Sequence, residues 1–130
     1  QWRLRPRPDS DGLYGHLQAI DVQTRQKIWT RRQRAPQSTG VLATAGGLVF
    51  AGALDRWFTA YDDATGEPLW RMRLNDVPNS NPISYAVNGK QYIAMVVGYG
   101  GAQVASFPRL TPEIMLPATR SSAVWVFELR

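Results

Sequence analysis

The chain has 130 residues, of which 44% are hydrophobic and 11% aromatic, so it carries enough apolar side chain for a packed core and is not predicted to be disordered. Its formal net charge is +5 and it contains no cysteine, which excludes disulfides, thiolate metal sites and covalent c-type haem attachment within this stretch. Arginines cluster near the start and at 31–34. No base-stacking aromatic residues are interleaved with them, so we expect solvated loops rather than a nucleic-acid surface.

Short strands separated by turns run through the chain, and no helix is predicted. Residues 1–12 contain prolines and turn formers and predict an irregular entry loop. Strands are predicted, from β-forming residues and flanking turns, at 15–22, 27–31, 41–45, 48–53, 57–61, 67–74, 83–87, 91–97 and 123–129. Gly46-Gly47 and Asn88-Gly89 indicate hairpin turns. Residues 102–120 contain several prolines and predict a long loop, with at most one helical turn at 112–115.

No membrane-spanning segment is expected in this chain. The longest weakly apolar stretch, 41–54, is interrupted by Gly46-Gly47 and is shorter than the ~20 residues that a spanning helix needs. The chain opens on Gln1-Trp2 rather than on an initiator methionine, so we expect processing or truncation.

One phrase occurs twice, 41 residues apart: residues 19–29 (AIDVQTRQKIW) return as residues 60–70 (AYDDATGEPLW). A period near 40 residues made of short strands is typical of a β-propeller blade, and a closed propeller needs about 4 to 8 blades. We therefore predict an all-β fold with two to three four-stranded antiparallel blades of a larger ring. The predicted divisions are part of a blade at 1–40, a full blade at 41–76, and a last blade with a long loop and a C-terminal strand at 77–130.

The side chains of the repeated phrase have predicted structural roles. The Trp ring is expected to pack against the neighbouring blade, and the small Ala leaves room for it. The Asp side chain is expected to accept backbone N–H bonds in a tight turn, so Asp21 and Asp62 are not assigned to catalysis. Gly66 suits a left-handed backbone, whereas Arg25 stands at that place in the first copy. The first turn is therefore expected to be made differently or to be slightly strained.

The pattern Ala-x-Asp-x-x-Thr-Gly-x-x-x-Trp resembles the tryptophan-docking motif of pyrroloquinoline-quinone (PQQ) dehydrogenases. Residues 44–52 (TAGGLVFAG) resemble the stretch that opens the penultimate blade of those enzymes. Residues 89–93 (GKQYI), followed by 98–101 (GYGG), resemble their last blade. The run from 111–114 (TPEI) to 124–127 (VWVF) is similar to the C-terminal tail of some members. The docking pattern alone also occurs in non-enzymatic propellers, but these segments in this order are more specific.

The resemblance implies the C-terminal part of an eight-bladed quinoprotein alcohol or sugar dehydrogenase in the periplasm, with PQQ beside Ca²⁺ or a lanthanide in a central funnel. The alcohol or sugar would be oxidised by hydride transfer to PQQ, assisted by an acidic base, and the electrons would pass to a cytochrome c or a quinone. The family's catalytic base, metal ligands and vicinal cysteine pair are expected outside this chain. None of its own residues is therefore assigned to catalysis or to a metal.

Four residues are predicted to lie at the cofactor. The family often places a Trp edge-on to PQQ at the position of Ser38, and methanol-oxidising members place a Trp at the position of Ala102. Gly100, Gly101 and Ala102 are expected to approach the quinone through backbone atoms. Both departures remove aromatic contact, which implies weaker PQQ binding or a wider pocket for a bulkier substrate.

Two other hypotheses remain open from the sequence. One is a non-catalytic propeller that serves as an interaction scaffold in the bacterial envelope, as in outer-membrane assembly lipoproteins whose repeat is similar. The departures at Ser38 and Ala102 favour it, whereas the segments resembling the dehydrogenase blades oppose it. The other is a free-standing chain that completes its ring from several copies.

Overall fold

The computed structural model describes residues 4–98 and 100–130, with the side chains of residues 101–103 outside that description. Within these ranges the fold is built from antiparallel strands, as predicted. The strands are β1 (Gly15–Ile20), β2 (Lys27–Gln33), β3 (Leu42–Ala43), β4 (Leu48–Gly52), β5 (Trp57–Asp62), β6 (Pro68–Arg73), β7 (Ile83–Val87), β8 (Lys90–Val97) and β9 (Ala123–Leu129). Strands that follow one another along the chain are neighbours in three sheets: β1-β2, β3-β4-β5-β6 and β7-β8-β9.

The strand register repeats between the first and second sheets. Ala19 pairs with Trp29 in β1-β2, and Ala60 pairs with Trp70 in β5-β6. Each pairing is followed by a register shift, between Ala19 and Ile20 and between Ala60 and Tyr61. An extra residue at this point increases the local twist of the strand pair. The repeated sequence phrase is therefore a repeated three-dimensional unit.

The turns that end these units confirm the predicted role of the aspartates. The Asp21 Oδ1 atom accepts backbone N–H bonds of 2.8 Å from both Gln23 and Thr24. Asp62 Oδ1 accepts the equivalent bonds from the second and third residues after it, at 3.0 and 2.8 Å. Arg25 takes a φ of 59° where Gly66 takes 71°, so the first turn keeps the same shape and places a non-glycine residue in the left-handed region.

Side chains alternate between the two faces of the central sheet and form two cores. One face carries Phe50, Phe58 and Ala60, which pack against buried side chains of β8 and half-buried ones of β9. The opposite face packs Val49, Ala51 and Tyr61 against Leu17 of β1, with Trp29 beside them. Because period-2 alternation sends neighbouring residues to opposite faces, the central sheet is buried on both sides. This is how stacked propeller blades bury their apolar surface.

The prediction of a helix-free segment after residue 101 is wrong. Gly101–Ser106 form a short helix, α1, and Phe107–Arg109 form a 3₁₀ turn. Val104 of α1 is buried against Leu54 and Val77, which lie far away in sequence. Pro108 lies at the start of the 3₁₀ turn, where its missing N–H costs no hydrogen bond. Pro108 is thus compatible with this helical segment.

Candidate functional site

The connection that leads into the central sheet crosses the end of β4 and is held there by backbone bonds. We call residues 36–40 the first crossing segment. The Leu54 N–H donates to the Pro36 carbonyl, and the Ser38 N–H donates to the Gly52 carbonyl, both at 3.0 Å. The Gly52 N–H in turn donates to the Thr39 hydroxyl at 2.8 Å. Ser38 is therefore positioned by main-chain contacts on either side of it.

The connection into the third sheet repeats this arrangement. We call residues 77–81 the second crossing segment. The Gly98 N–H donates to the Val77 carbonyl at 2.9 Å, and the Asn79 N–H donates to the Val96 carbonyl at 3.2 Å. The Val96 N–H donates to the Ser80 hydroxyl at 2.8 Å. Asn79 thus occupies the position in the third sheet that Ser38 occupies in the second.

The two crossing segments lie against each other. The Gly40 N–H donates to the Asn81 side-chain oxygen at 3.0 Å. A methyl group added at Gly52 would lie 2.6 Å from a ring carbon of Pro78, which is closer than real Cβ contacts come. Glycine at position 52 is what permits this approach. The equivalent positions 38 and 79 are consequently carried on adjoining pieces of backbone.

Ser38 has an unsatisfied hydroxyl. The residue is 8% exposed, and its Oγ atom has no hydrogen-bond partner within the described part of the chain. A buried hydroxyl without a partner costs about 1–3 kcal/mol of desolvation, and native proteins rarely leave one without a reason. The Ser38 hydroxyl is therefore a candidate donor to a bound polar group.

Gly100 lies beside Asn79. A Cβ built on Gly100 would lie 3.2 Å from the Asn79 amide nitrogen, and the same nitrogen donates to the Gly98 carbonyl at 3.1 Å. Gly101 opens α1 and Ala102 lies inside it, with side-chain positions outside the described residues. The structure therefore places Ser38 in the first crossing segment and Gly100 next to its counterpart in the second.

Asn79 is the residue that the sequence reasoning missed. Residues 37–40 (QSTG) and 78–81 (PNSN) are separated by the same 41 residues as the tryptophan phrase, but they share no identical residue. The separation of 41 residues was the only sequence signal that related the two segments. The two segments are recognisably equivalent only through their backbone hydrogen bonds, which amino-acid identity does not report.

The predicted docking of tryptophan against the next sheet is confirmed at Trp29. Its indole Nε1–H donates to the Asp63 carbonyl at 2.7 Å. The six-membered part of the ring lies against Gly66, where an added Cβ would come within 2.6 Å of it. A ring that buries one face and donates its N–H is well suited to fixing the angle between two sheets.

Trp70, in the second copy, also contacts the next sheet. Its ring meets Phe127 of β9 edge-on, with centroids 5.2 Å apart, and meets Phe58 of its own sheet at 6.4 Å. Trp70 remains 42% exposed. Both indoles therefore bridge adjacent sheets, the first through a hydrogen bond and the second through aromatic contacts.

Two turn aspartates of the repeated phrase, Asp21 and Asp62, have a pKa below the ordinary value. The Thr65 hydroxyl and backbone N–H groups lower the pKa of Asp62 below its ordinary value, and backbone N–H donors lower the pKa of Asp21. Hydrogen bonds to the charged form cause both shifts. Within residues 4–98 and 100–130, no group of three or more His, Cys, Asp or Glu side chains is arranged to hold a metal ion.

The sequence matches a family model described as the β-propeller domain of PQQ-dependent glucose, ethanol and alcohol dehydrogenases, over residues 6–93. The chain belongs to this PQQ propeller family. The match covers the repeated units and both crossing segments. The quinoprotein resemblance and the all-β propeller architecture are thereby confirmed.

Two curated relatives of this chain are quinoprotein alcohol dehydrogenases from Pseudomonas putida. A quinoprotein ethanol dehydrogenase of Pseudomonas putida is 39% identical over 88% of this chain and 18% of its own length. The quinoprotein alcohol dehydrogenase PedE of Pseudomonas putida is 38% identical over 92% of this chain and 19% of its own length. The chain thus spans about a fifth of the length of these relatives.

Solved structures of PQQ-family enzymes share the fold of this chain. A europium-containing methanol dehydrogenase superposes with a TM-score of 0.77 at 28% identity, covering 92% of this chain and 24% of its own. BamB from Moraxella catarrhalis superposes with a TM-score of 0.50 at 15% identity, which shows a shared fold alone.

No helix within the described residues is long and apolar enough to cross a membrane.

Proposed function

We propose that the protein carrying this chain is a periplasmic quinoprotein dehydrogenase that oxidises an alcohol or sugar by hydride transfer to PQQ. The observation that carries the proposal is the 39% identity to a quinoprotein ethanol dehydrogenase over 88% of the chain. Fold likeness alone would not carry it, because propellers host many unrelated functions. The alcohol-oxidising relatives make an alcohol the first substrate class to test.

The residues of this chain fit one edge of PQQ because they offer a hydrogen-bond donor and a close backbone approach. Ser38 offers a buried hydroxyl with no partner, and PQQ is rich in carbonyl and carboxylate acceptors. Gly100 offers a close backbone approach, and the Asn79 amide lies beside it. When bound, PQQ supplies an orthoquinone that accepts two electrons from the substrate. In this proposal Ser38, Gly100, Gly101 and Ala102 contact the cofactor.

The work of this chain is to position one side of the pocket. The crossing segments hold the backbones of Ser38 and Asn79 by hydrogen bonds, and the Asn79 side chain is also held by its bond to the Gly98 carbonyl, so both positions are set before any ligand arrives. Such fixed hydrogen-bond donors cost little reorganisation during a reaction. The catalytic base and the Ca²⁺ or lanthanide ligands are placed by the proposal in other parts of the protein.

The electron acceptor is proposed to be a cytochrome c or a quinone. One relative from Thauera butanivorans is a 1-butanol dehydrogenase named for cytochrome c, and another from that organism is named for quinone. They are 35% and 34% identical to this chain. Both acceptor classes therefore belong in the assay.

Reconstitution of the complete protein tests the proposal. The cofactor-free protein is loaded with PQQ and Ca²⁺ or, separately, a lanthanide, and dye reduction is followed with ethanol, 1-butanol and glucose. Dye reduction that requires both PQQ and substrate is the expected result. Saturable PQQ binding without turnover of any alcohol or sugar would contradict the enzymatic assignment. The envelope-scaffold hypothesis, for which BamB offers only a fold likeness, would then become the better one.

A further inference from the structure

An arginine-lined crevice opens between the first and second sheets and uses none of the residues of the candidate cofactor site. It encloses about 290 Å³ between β2 on one side and β5 and β6 on the other. We call it the interblade crevice. The side chains that matter to its chemistry are Arg31, Arg71, Trp57, Thr59, Tyr61 and Asp55.

Strand register explains why the arginines face each other. Arg31 pairs with Leu17, which packs towards the central sheet. Arg71 pairs with Thr59, on the face of β5 that carries Tyr61. Residues directly opposite each other on paired strands have their side chains on the same face of the sheet. Side chains two residues apart on one strand also share a face. Both guanidinium groups therefore enter the space between the sheets.

Both guanidinium groups are also oriented. The Arg71 guanidinium lies over the Trp57 ring, 4.5 Å from its centroid, which holds its plane by cation–π attraction. The Arg31 Nε–H donates to the Gly66 carbonyl at 2.6 Å. That bond fixes the Arg31 side chain and leaves its terminal nitrogens for another acceptor. Neither arrangement neutralises the positive charge.

The positive charge of the interblade crevice is only partly balanced. Within the described residues, no carboxylate lies at ion-pair distance from Arg31 or Arg71, although other arginines of the chain are paired. Asp55 also lines the crevice, and burial raises its pKa while the nearby Arg73 and Arg71 act against that rise. Two oriented arginines therefore face one partly buried carboxyl.

We propose that the interblade crevice binds a small oxyanion, either a phosphate or a carboxylate group, between Arg31 and Arg71. The planar guanidinium fork presents paired N–H donors that match both oxyanions, and charge-assisted hydrogen bonds of this kind are the stronger ones. The buried hydroxyls of Thr59 and Tyr61 supply further polar surface at the base of the crevice. The proposal does not depend on PQQ or on dehydrogenase activity.

Isothermal titration of the complete, cofactor-free protein tests this site. Inorganic phosphate and succinate are titrated in separate arms at low ionic strength, and the arm with the tighter binding identifies the oxyanion. Arg31→Lys and Arg71→Lys keep the charge but lose the planar fork, so each is expected to weaken binding about tenfold. Arg109→Ala removes an exposed charge outside the crevice and should leave affinity unchanged.

A further variant of the same site should raise the affinity for the anion instead of lowering it. Asp55→Asn removes the carboxylate that opposes the anion, so it should tighten binding. Absence of saturable binding of both phosphate and succinate would overturn the proposal. Equal weakening by Arg109→Ala and Arg71→Lys would also overturn it, because it would show attraction to overall charge alone. Circular dichroism of each variant verifies that the sheets are intact.

Discussion

The indole nitrogen of Trp29 donates to the carbonyl oxygen of Asp63 across the boundary between two sheets, at 2.7 Å. The ring then lies on Gly66, three residues further along the same turn. The Trp29 side chain of the first unit is thus fitted to the shape of a turn in the second unit. This contact makes the angle between the sheets sensitive to a single position.

Gly66→Ala should destabilise the protein strongly. Gly66 has a φ of 71°, and an added Cβ would lie 2.6 Å from the Trp29 ring. Left-handed strain at a non-glycine residue costs roughly 1–3 kcal/mol, and the clash adds to it. Gly89→Ala is the matched control, because Gly89 has a φ of 76° with no atom within 4 Å. Urea denaturation should show a larger loss for Gly66→Ala; equal losses would contradict the docking contact.

Stability should fall in acid through the turn aspartates. Asp62 has a folded-state pKa below its ordinary value because the Thr65 hydroxyl and backbone N–H groups bond its carboxylate. A group with a depressed folded pKa contributes stability above its unfolded pKa of about 4, and loses it as pH falls through the folded value. Asp62→Asn should therefore flatten the fall in unfolding free energy as the pH drops below about 4. An unchanged slope would show that other carboxyls carry the effect.

Ser38→Ala should separate folding from cofactor binding. Removing a buried hydroxyl that has no partner relieves a desolvation cost, so the cofactor-free protein should be as stable as the parent or more stable by about 1 kcal/mol. If the hydroxyl donates to PQQ, the same variant should bind PQQ about tenfold more weakly. Thr39→Val is the control, since the Thr39 hydroxyl accepts the Gly52 N–H and its loss should destabilise the fold. Unaltered PQQ affinity in Ser38→Ala would remove Ser38 from the site.

Arg34→Ala should loosen the segment that follows α1. Arg34 pairs with Glu113 at 2.5 Å and donates to the carbonyls of Gly12 and Leu110 at 2.6 and 3.0 Å. One side chain therefore ties the entry loop to the C-terminal connection. Hydrogen exchange by mass spectrometry should show faster exchange in peptides spanning 107–116. Lys27→Ala, which removes an exposed charge at the far end of β2, the strand that precedes Arg34, should leave exchange there unchanged.

Local sequence signals were sufficient for the strands and turns. Asn88 and Gly89 adopt φ values of 51° and 76°, which is the left-handed pair that the dipeptide predicts. The repeated Asp and Thr predict their turn because the bonds that form it span only two or three residues. The helix at 101–106 was not predictable in this way, since its burial depends on Leu54 and Val77.

The residues of the candidate site likewise differ in whether local sequence predicts them. Ser38 was predicted from the resemblance to a known family, and nothing in its own neighbours in sequence marks it. Asn79 was missed because its equivalence to Ser38 lies in hydrogen bonds between residues 14 to 21 positions apart, such as Asn79 to Val96 and Ser38 to Gly52. Contacts of that range depend on the folded arrangement of the chain.

Ser38 and Asn79 are both held by hydrogen bonds of their peptide groups. The Ser38 side chain takes no part in its crossing, whereas the Asn79 amide also donates to the Gly98 carbonyl. Evolution can therefore exchange the residue at position 38 and leave the surrounding scaffold where it is. Relatives of this chain would then be able to diverge in what they accept by altering one position on a common frame.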